Sequence, residues 1–120
     1  MEAKRREREG LRFLGLARRA GAVAPGIASA RQAVRDGRAK LLVVASDAAA
    51  GQMKKIERTL SDRPIPREVL GDRATLGAAL GLGPVSAAAI TVGSFVDGFR
   101  RSMAPVDTHD VTASTGEAED

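Results

Sequence analysis

The sequence predicts an α/β domain in which helices cover both faces of one β-sheet. The chain has 120 residues, which is enough for one compact domain. Segments with helical periodicity alternate along it with short apolar runs, a pattern typical of layered α/β structure. Hydrophobic residues make up 43% of the chain, yet it has three Phe and no Trp or Tyr. The core must therefore be packed mainly with Leu, Ile, Val and Ala.

The helices are predicted from apolar residues that recur at three- and four-residue spacing. In the first helix Leu11 and Leu14 begin such a stripe, and Gly21 is a natural stop after it. In the fourth helix Leu76 and Leu80 are one turn apart. The five predicted helices cover residues 2–20, 27–36, 49–60, 73–80 and 94–101.

The strands are predicted from short apolar runs between the helices. The run at 41–45, LLVVA, is continuous and apolar, as expected of a strand buried on both faces. Ser46 and Asp47 end this strand and are expected to cap the helix that follows, and Ser94 is expected to cap the last helix. An acid in the position of Asp47 also serves in many α/β enzymes, but the capping role is favoured. The four predicted strands cover residues 22–24, 41–45, 68–70 and 87–92.

The charge of the chain is unevenly distributed. The formal net charge is +4, but residues 103–120 hold five acidic residues and no Lys or Arg. Residues 1–102 hold 19 basic against 10 acidic residues, a net charge of +9. Such an excess attracts polyanions, and nucleic acid is the usual one. We therefore predict a basic domain over 1–102 and, since 103–120 lacks periodicity, a disordered acidic tail. A solvated basic surface without such a partner stays open as an alternative.

The residues offer little for catalysis, so the protein is predicted not to be an enzyme and to need no cofactor or metal. There is no Cys, and the single His, His109, lies in the acidic tail. No His, Cys, Asp and Glu residues have metal-ligand spacing. The glycines at 81 and 83 lack the third glycine of a dinucleotide turn and follow a helix rather than a strand.

The sequence also predicts no membrane segment and a cytoplasmic location. No stretch approaches the roughly 18 apolar residues of a membrane span. The N-terminus carries both charge signs and lacks the apolar region of a signal peptide. Its basic cluster either pairs with the interleaved Glu residues along a helix or tracks phosphates, and both interpretations stay open. The cluster comprises Lys4, Arg5, Arg6, Arg8 and Arg12.

The second predicted helix is the most suggestive basic element. Pro25 and Gly26 open it, and a helix N-terminus offers unpaired backbone N–H groups to phosphate. Arg31 and Arg35 follow within the same helix. The Gly- and Pro-rich loop at 82–86 is expected to face this helix start in a layered fold.

Several segments together resemble one family. They are LGLARRAG, the PG that opens the second helix, VRDGRAKLLVVASDA, the LG of the fourth helix and AAAI. Over about residues 10–100 they are similar to the kink-turn-binding ribosomal proteins called seven-Ae and thirty-e, and most of all to the bacterial YlxQ-like branch of RNA-binding proteins. The resemblance implies a three-layer α-β-α sandwich around a four-stranded mixed sheet, and binding of kink-turn or related RNA.

The resemblance also implies which residues contact RNA. In the RNA-binding members the second helix opens with Gly, a small residue, Asn and Glu, with Lys three residues on. Gly26 matches the glycine, whereas Ala28, Ser29 and Gln32 occupy the Asn, Glu and Lys places. Met53 falls at an apolar contact, and the 82–86 loop corresponds to one that packs on a flipped-out nucleotide. The expected RNA-binding residues are Gly26, Ala28, Ser29, Arg31, Gln32, Arg35, Met53, Leu82, Gly83, Pro84, Val85 and Ser86.

The function expected from the resemblance and the charge is non-enzymatic binding of structured RNA. The partner is expected to be kink-turn-like or ribosomal RNA, in connection with ribosomal particles or their assembly. The alternative is a protein-interaction module that uses the same fold without specific RNA readout. The replaced Asn and Glu favour this alternative, and the arginines of the second helix disfavour it.

Overall fold

The computed structural model describes residues 2–61 and 63–105. All nine predicted elements are present in the predicted order, with ends that differ by up to two residues. The helices are α1 (Glu2–Arg19), α2 (Ile27–Arg35), α3 (Ala50–Leu60), α4 (Arg73–Ala79) and α5 (Gly93–Met103). The strands are β1 (Val23–Pro25), β2 (Leu41–Val44), β3 (Arg67–Val69) and β4 (Ala87–Ile90). No helix among the described residues has the length and apolar character needed to cross a membrane.

The strands form one mixed sheet in the order β1-β4-β2-β3. β4 is antiparallel to both of its neighbours, β1 and β2, while β2 and β3 are parallel. Every residue of the two central strands is buried. The mixed four-stranded sheet that the resemblance implies is therefore confirmed.

The two faces of the sheet carry separate hydrophobic cores, because successive side chains of a strand point to opposite faces. Leu41 and Val43 of β2 pack with residues of α1, α4 and α5. Leu42 and Val44 pack with residues of α2 and α3. Helices thus cover the sheet on both sides, and the three-layer α-β-α sandwich is confirmed.

Asp47 binds the start of a different helix from the one that it was predicted to cap. α3 begins after Ala49, whose methyl side chain cannot cap it, and within the described residues neither Ser46 nor Asp47 hydrogen-bonds to its first turn. The Asp47 carboxylate instead accepts a hydrogen bond of 2.7 Å from the backbone N–H of Arg73, the first residue of α4. Since β2 and β3 run parallel, the segments that leave them emerge at the same edge of the sheet. The loop after β2 therefore lies close to the start of α4.

The last helix, α5, differs from prediction at both ends. Ser94 does not cap it, because the helix begins at Gly93 and its N-cap residue is Val92. Met103, predicted as the first residue of the tail, is the last residue of α5 and is buried in the core beneath α1 and α5. The division of the chain into a domain and a tail at 102/103 stays a prediction. Residues 106–120, on which most of the predicted tail falls, lie outside the described residues.

Two arginines of the N-terminal basic cluster bind the end of α5. Arg5 donates from Nη2 to the carbonyl oxygen of Ala104 at 2.8 Å, and Arg6 donates from Nε to that of Met103 at 2.7 Å. Cationic side chains are favourable at a helix C-terminus, where carbonyl groups lack partners within the helix. These two residues therefore join the first helix of the chain to the last.

Gly77 allows the loop that follows α4 to lie directly against that helix. A Cβ atom added to Gly77 would lie 1.9 Å from the carbonyl oxygen of Gly83. Backbone hydrogen bonds hold the same loop in place, from Leu82 N–H to the Gly77 carbonyl at 2.8 Å and from Val85 N–H to the Arg73 carbonyl at 3.1 Å. The loop at 81–86 is therefore attached to α4 along its length.

We expect Gly77→Ala to lower the free energy of unfolding by about 3 kcal/mol, because either the loop or the helix must move to admit the methyl group. Denaturant unfolding measures this change. Gly51→Ala is the matched control, because Gly51 lies on α3 with open space where its Cβ would be. The control should leave stability unchanged or raise it by up to about 1 kcal/mol. Equal stability of the two variants would show that the loop does not lie against α4 in solution.

Candidate nucleic-acid interface

The predicted RNA-binding residues belong to three segments that meet at one edge of the sheet. β1 ends at Pro25, which pairs with Ala88 of β4. The loop at 81–86 leads into β4, so it lies beside the start of α2. The hydroxyl of Ser86 accepts a hydrogen bond of 3.0 Å from the backbone N–H of Ala49, which places the start of α3 at the same edge. The expected meeting of the helix start and the loop is therefore present in the structure.

The start of α2 is an open turn with small side chains. Gly26 has a φ of 87°, a conformation that favours glycine because other residues rarely adopt it. Within the part of the chain that the structure describes no side chain caps the helix, and its first turn has no acidic residue. Ala28, Ser29 and Gln32 are all exposed. Backbone N–H groups and small side chains thus form this part of the surface, with a positive helix end that favours anions.

The loop at 81–86, which leads into β4, presents an apolar tip. Leu82 is 40% exposed, and Gly83 and Pro84 are exposed next to it. Val85 is half-buried and packs against the core beneath α4 and α5. Met53 of α3 is likewise half-buried and packs against the core of α2 and α3. The accessible apolar surface at this edge therefore comes mainly from Leu82 and Pro84.

Ser86 is a buried connection and not a surface residue. Its side chain is 1% exposed, and its hydroxyl donates to Gln52 Oε1 at 2.6 Å while it accepts from Ala49 N–H. Its carbonyl oxygen accepts a further hydrogen bond of 2.8 Å from Ala45 N–H, at the end of β2. Ser86 thereby fixes the loop, the start of α3 and the end of β2 relative to one another.

The two arginines predicted on α2 lie further along the helix and are held by polar neighbours. Arg31 is half-buried, and its Nε donates to Thr59 Oγ1 at 3.1 Å. Arg35 donates from Nη2 to Gln32 Oε1 at 3.1 Å, and Gln32 donates in turn to Asp36 Oδ1 at 2.8 Å. Gln32, in the place of the family's lysine, is thus part of a hydrogen-bonded chain on the helix surface.

A pocket of about 410 Å³ lies between α2 and α3. We call it the arginine pocket, because four arginines and one threonine line it. The sequence predicted Arg31 and Arg35 as RNA-binding residues, but it gave no reason to select Arg58 or Arg63. Their proximity to the other two depends on how α3 packs against α2, which local periodicity does not predict. The lining residues are Arg31, Arg35, Arg58, Thr59 and Arg63.

The layer of α2 and α3 is strongly basic. The two helices carry five basic residues and one acidic residue, Glu57. Arg67 donates two hydrogen bonds to the Glu57 carboxylate, at 2.8 and 3.0 Å, and so holds the pKa of that carboxyl below its ordinary value. The one carboxylate on these two helices is therefore already paired with a cation that lies outside them. The basic residues are Arg31, Arg35, Lys54, Lys55 and Arg58.

Within residues 2–61 and 63–105, no three His, Cys, Asp or Glu side chains are grouped so that they could hold a metal ion. Asp47 is engaged with Arg73, through the backbone N–H described above and a 3.5 Å contact to Nε. The geometry describes a layered α/β domain with a basic helical face next to an apolar loop.

Comparison with known families agrees with this class of fold. Residues 9–97 match the model of the Ribosomal protein L7Ae/L30e/S12e/Gadd45 family, and the chain belongs to this family. The family resemblance predicted from the sequence is confirmed. Its assignment to the YlxQ-like branch stays a prediction.

Two solved structures illustrate the similarity. A Bacillus halodurans protein of unknown function has 29% sequence identity and a TM-score of 0.68, over 78% of this chain and 95% of that one. The Giardia lamblia 15.5kD RNA binding protein has 21% identity and a TM-score of 0.62, over 79% of this chain and 82% of that one. At that identity the Giardia protein shows a common fold. No curated protein sequence matches the chain significantly.

We expect Ser86→Ala to lower the free energy of unfolding by about 1–3 kcal/mol, because Ala49 N–H and Gln52 Oε1 lose their partner. Thermal or denaturant unfolding measures the loss. Ser94→Ala is the control, since Ser94 is exposed and makes no side-chain hydrogen bond within the described residues. The control should stay within about 0.5 kcal/mol of the wild type. If the Ser86→Ala variant is as stable as the control, Ser86 does not position the loop.

Proposed function

We propose that this protein binds structured RNA without catalysing a reaction. The RNA-binding face consists of the start of α2, the loop at 81–86 and the first turns of α3. One observation carries the proposal: these three segments converge beside a basic helical layer in a member of a ribosomal-protein family. The Giardia protein of the same fold, which is itself described as an RNA binding protein, supports it.

The parts of the face suit different parts of an RNA strand. The uncapped N-terminus of α2 can receive a phosphate, since its backbone N–H groups and its dipole both favour an anion. Leu82 and Pro84 can pack against an unstacked base, the form in which RNA bases are most often recognised. Phosphate contacts position a nucleic acid, whereas base contacts specify its sequence.

Specificity is expected to be lower than in relatives that carry the Asn, Glu and Lys set. Ala28 offers no hydrogen bond to a base edge, and Gln32 is bonded to Arg35 and Asp36. Recognition should therefore depend on phosphate positions and RNA shape more than on base identity. We propose kink-turn-like or ribosomal RNA as the target, with the protein acting in the cytoplasm on ribosomal particles or during their assembly.

A protein-interaction module is the second candidate. The observation that favours it is the exposure of small or apolar side chains, Ala28 and Ser29 on α2 and Leu82 on the loop, which are better suited to packing than to base readout. The uncompensated positive charge of the neighbouring helices argues against it, because the centres of protein interfaces are depleted in charge.

The two candidates differ in how binding responds to salt. The affinity for RNA should fall with a slope of roughly −0.7 to −0.9 in log–log form per phosphate neutralised. With about four such contacts, a roughly fourfold rise in salt should weaken binding at least tenfold. Titrations against a kink-turn RNA, an unkinked duplex and a single strand at two salt concentrations measure this. Weak binding to all three without a salt response would contradict the proposal and leave the protein-interaction candidate.

Restoring the family's side chains should restore base readout. We expect the triple variant Ala28→Asn, Ser29→Glu and Gln32→Lys to prefer the kink-turn RNA over the duplex by about tenfold more than the wild type, because a good pair of base contacts contributes about 1–3 kcal/mol. The variant Ala28→Lys, Ser29→Asn and Gln32→Glu is the control, since it has the same three side chains in another order. An equal preference in both variants would show that this helix start does not face the bases.

A further inference from the structure

We propose that the arginine pocket binds a phosphate group of the RNA strand, at a site separate from the base-contacting face. The inference rests on the proposed function and adds a second contact point to it. The residues that carry it, Arg58 and Arg63, have no part in the face described above.

The four guanidinium groups come from both helices and from the segment after α3. Arg31 and Arg35 lie one turn apart on α2, and Arg58 lies on α3. Arg63 follows α3 and reaches across to the end of α2, where its Nη1 lies 3.4 Å from the position of a Cβ on Gly37. The convergence is therefore a product of tertiary packing.

Thr59 fixes the innermost of these groups. Its hydroxyl accepts the Nε hydrogen of Arg31 at 3.1 Å and donates to the carbonyl oxygen of Lys55 at 3.0 Å. Arg31 is half-buried, and within the described residues neither of its Nη groups makes a hydrogen bond. A guanidinium held in this way keeps its planar set of donors in a fixed direction.

Among the described residues, the pocket concentrates positive charge and no carboxylate is paired with its arginines. Asp36, next to Arg35 in sequence, pairs instead with Arg38 at 3.3 Å, and Glu57, next to Arg58, pairs with Arg67. The two nearby acidic groups of α2 and α3 are thus directed to other partners, and a bound anion would relieve the repulsion.

Helix dipoles do not account for this arrangement. A macrodipole favours cations in the last turn of a helix, which explains the positions of Arg35 and Arg58 on their own helices. Arg31 lies in the middle of α2, and Arg63 lies beyond the end of α3. If these arginines served only as solvated surface charges, placing four of them around one pocket would bring no gain in stability.

Phosphate on an RNA strand is the ligand that fits. Its oxygens can accept from several guanidinium groups at once, and arginine binds phosphate through paired N–H donors. The pocket opens on the same helix whose start begins the proposed RNA-binding face. Arg35 lies about 13 Å along the helix from Gly26 at 1.5 Å per residue, so one strand can contact both ends of α2.

The test compares two double variants of equal charge. Arg58→Gln/Arg63→Gln removes two pocket arginines, whereas Arg100→Gln/Arg101→Gln removes two exposed arginines from α5, on the other side of the sheet. We expect the pocket variant to bind RNA about tenfold more weakly at low salt, with its log–log salt slope reduced in magnitude by about one. The control variant should lose less than about threefold and keep its slope.

Several outcomes would overturn the inference, and they are separable. If the two double variants lose RNA affinity equally, the pocket arginines contribute only through the net charge of the protein. The proposal that the wild type binds RNA would then still hold. A wild type without salt-dependent RNA binding would instead refute the proposed function. Inorganic pyrophosphate serves as a probe for free ligands: if it binds the wild type but not the pocket variant, and both bind RNA equally, the site belongs to a small phosphorylated molecule.

Unfolding midpoints measured on the same variants establish that they are folded, which their exposed positions lead us to expect. Should the Gln variant unfold, Arg58→Lys/Arg63→Lys keeps both charges and removes only the planar donors. We expect that variant to keep the salt slope and bind RNA about threefold more weakly than the wild type. A Lys variant with unchanged affinity would contradict the role assigned to the guanidinium geometry.

Discussion

The burial of β2 on both faces is the constraint on which the rest of the structure depends. Four consecutive apolar side chains cannot be covered from one side, since alternate residues point in opposite directions. Each Leu or Val buried in this way contributes about 1.5–3 kcal/mol. Two layers of helices are therefore needed, and the chain supplies α1, α4 and α5 on one side and α2 and α3 on the other.

Small residues bring the second layer close to the sheet. Ala30 and Ala33 of α2 meet Ala87 and Ala89 of β4, and all four are fully buried. With so little side-chain volume between them, α2 and the sheet can approach closely. The long polar side chains of α2 then remain on its outer surface, beside α3. The alanine-rich core and the basic outer face are thus two consequences of the same helix position.

Sequence patterns predicted the elements well because the elements depend on local spacing. The stripes around Leu14 and Leu76 and the apolar run at 41–45 each needed only their own neighbours. The errors arose where the partner is distant in sequence: Asp47 accepts a hydrogen bond from Arg73, 26 residues later, and Met103 packs against α1. No local pattern indicated either contact.

The residues of the candidate site likewise fall into those that the sequence could predict and those that depend on distant contacts. The helix start at Gly26 and the apolar loop were found by motif and resemblance, and the structure brings them to one edge of the sheet. The burial of Ser86 was missed, since a serine in a Gly- and Pro-rich loop is usually exposed. Arg58 and Arg63 were missed because only the packing of α3 on α2 brings them to Arg31. The resemblance indicated where relatives bind RNA, whereas the arginine pocket is formed by the tertiary contacts of this chain.

The hydrogen bonds of Arg5 and Arg6 to the end of α5 place the two ends of the described chain side by side. Both ends lie in the layer of α1 and α5, so the sheet separates them from α2 and α3. A short peptide joining residue 2 to residue 105 would stay within that layer. The domain is therefore suited to circular permutation, with new ends opened in an exposed loop away from the proposed RNA-binding face. The same geometry lets a fused domain or label leave the molecule on the side away from the arginine pocket.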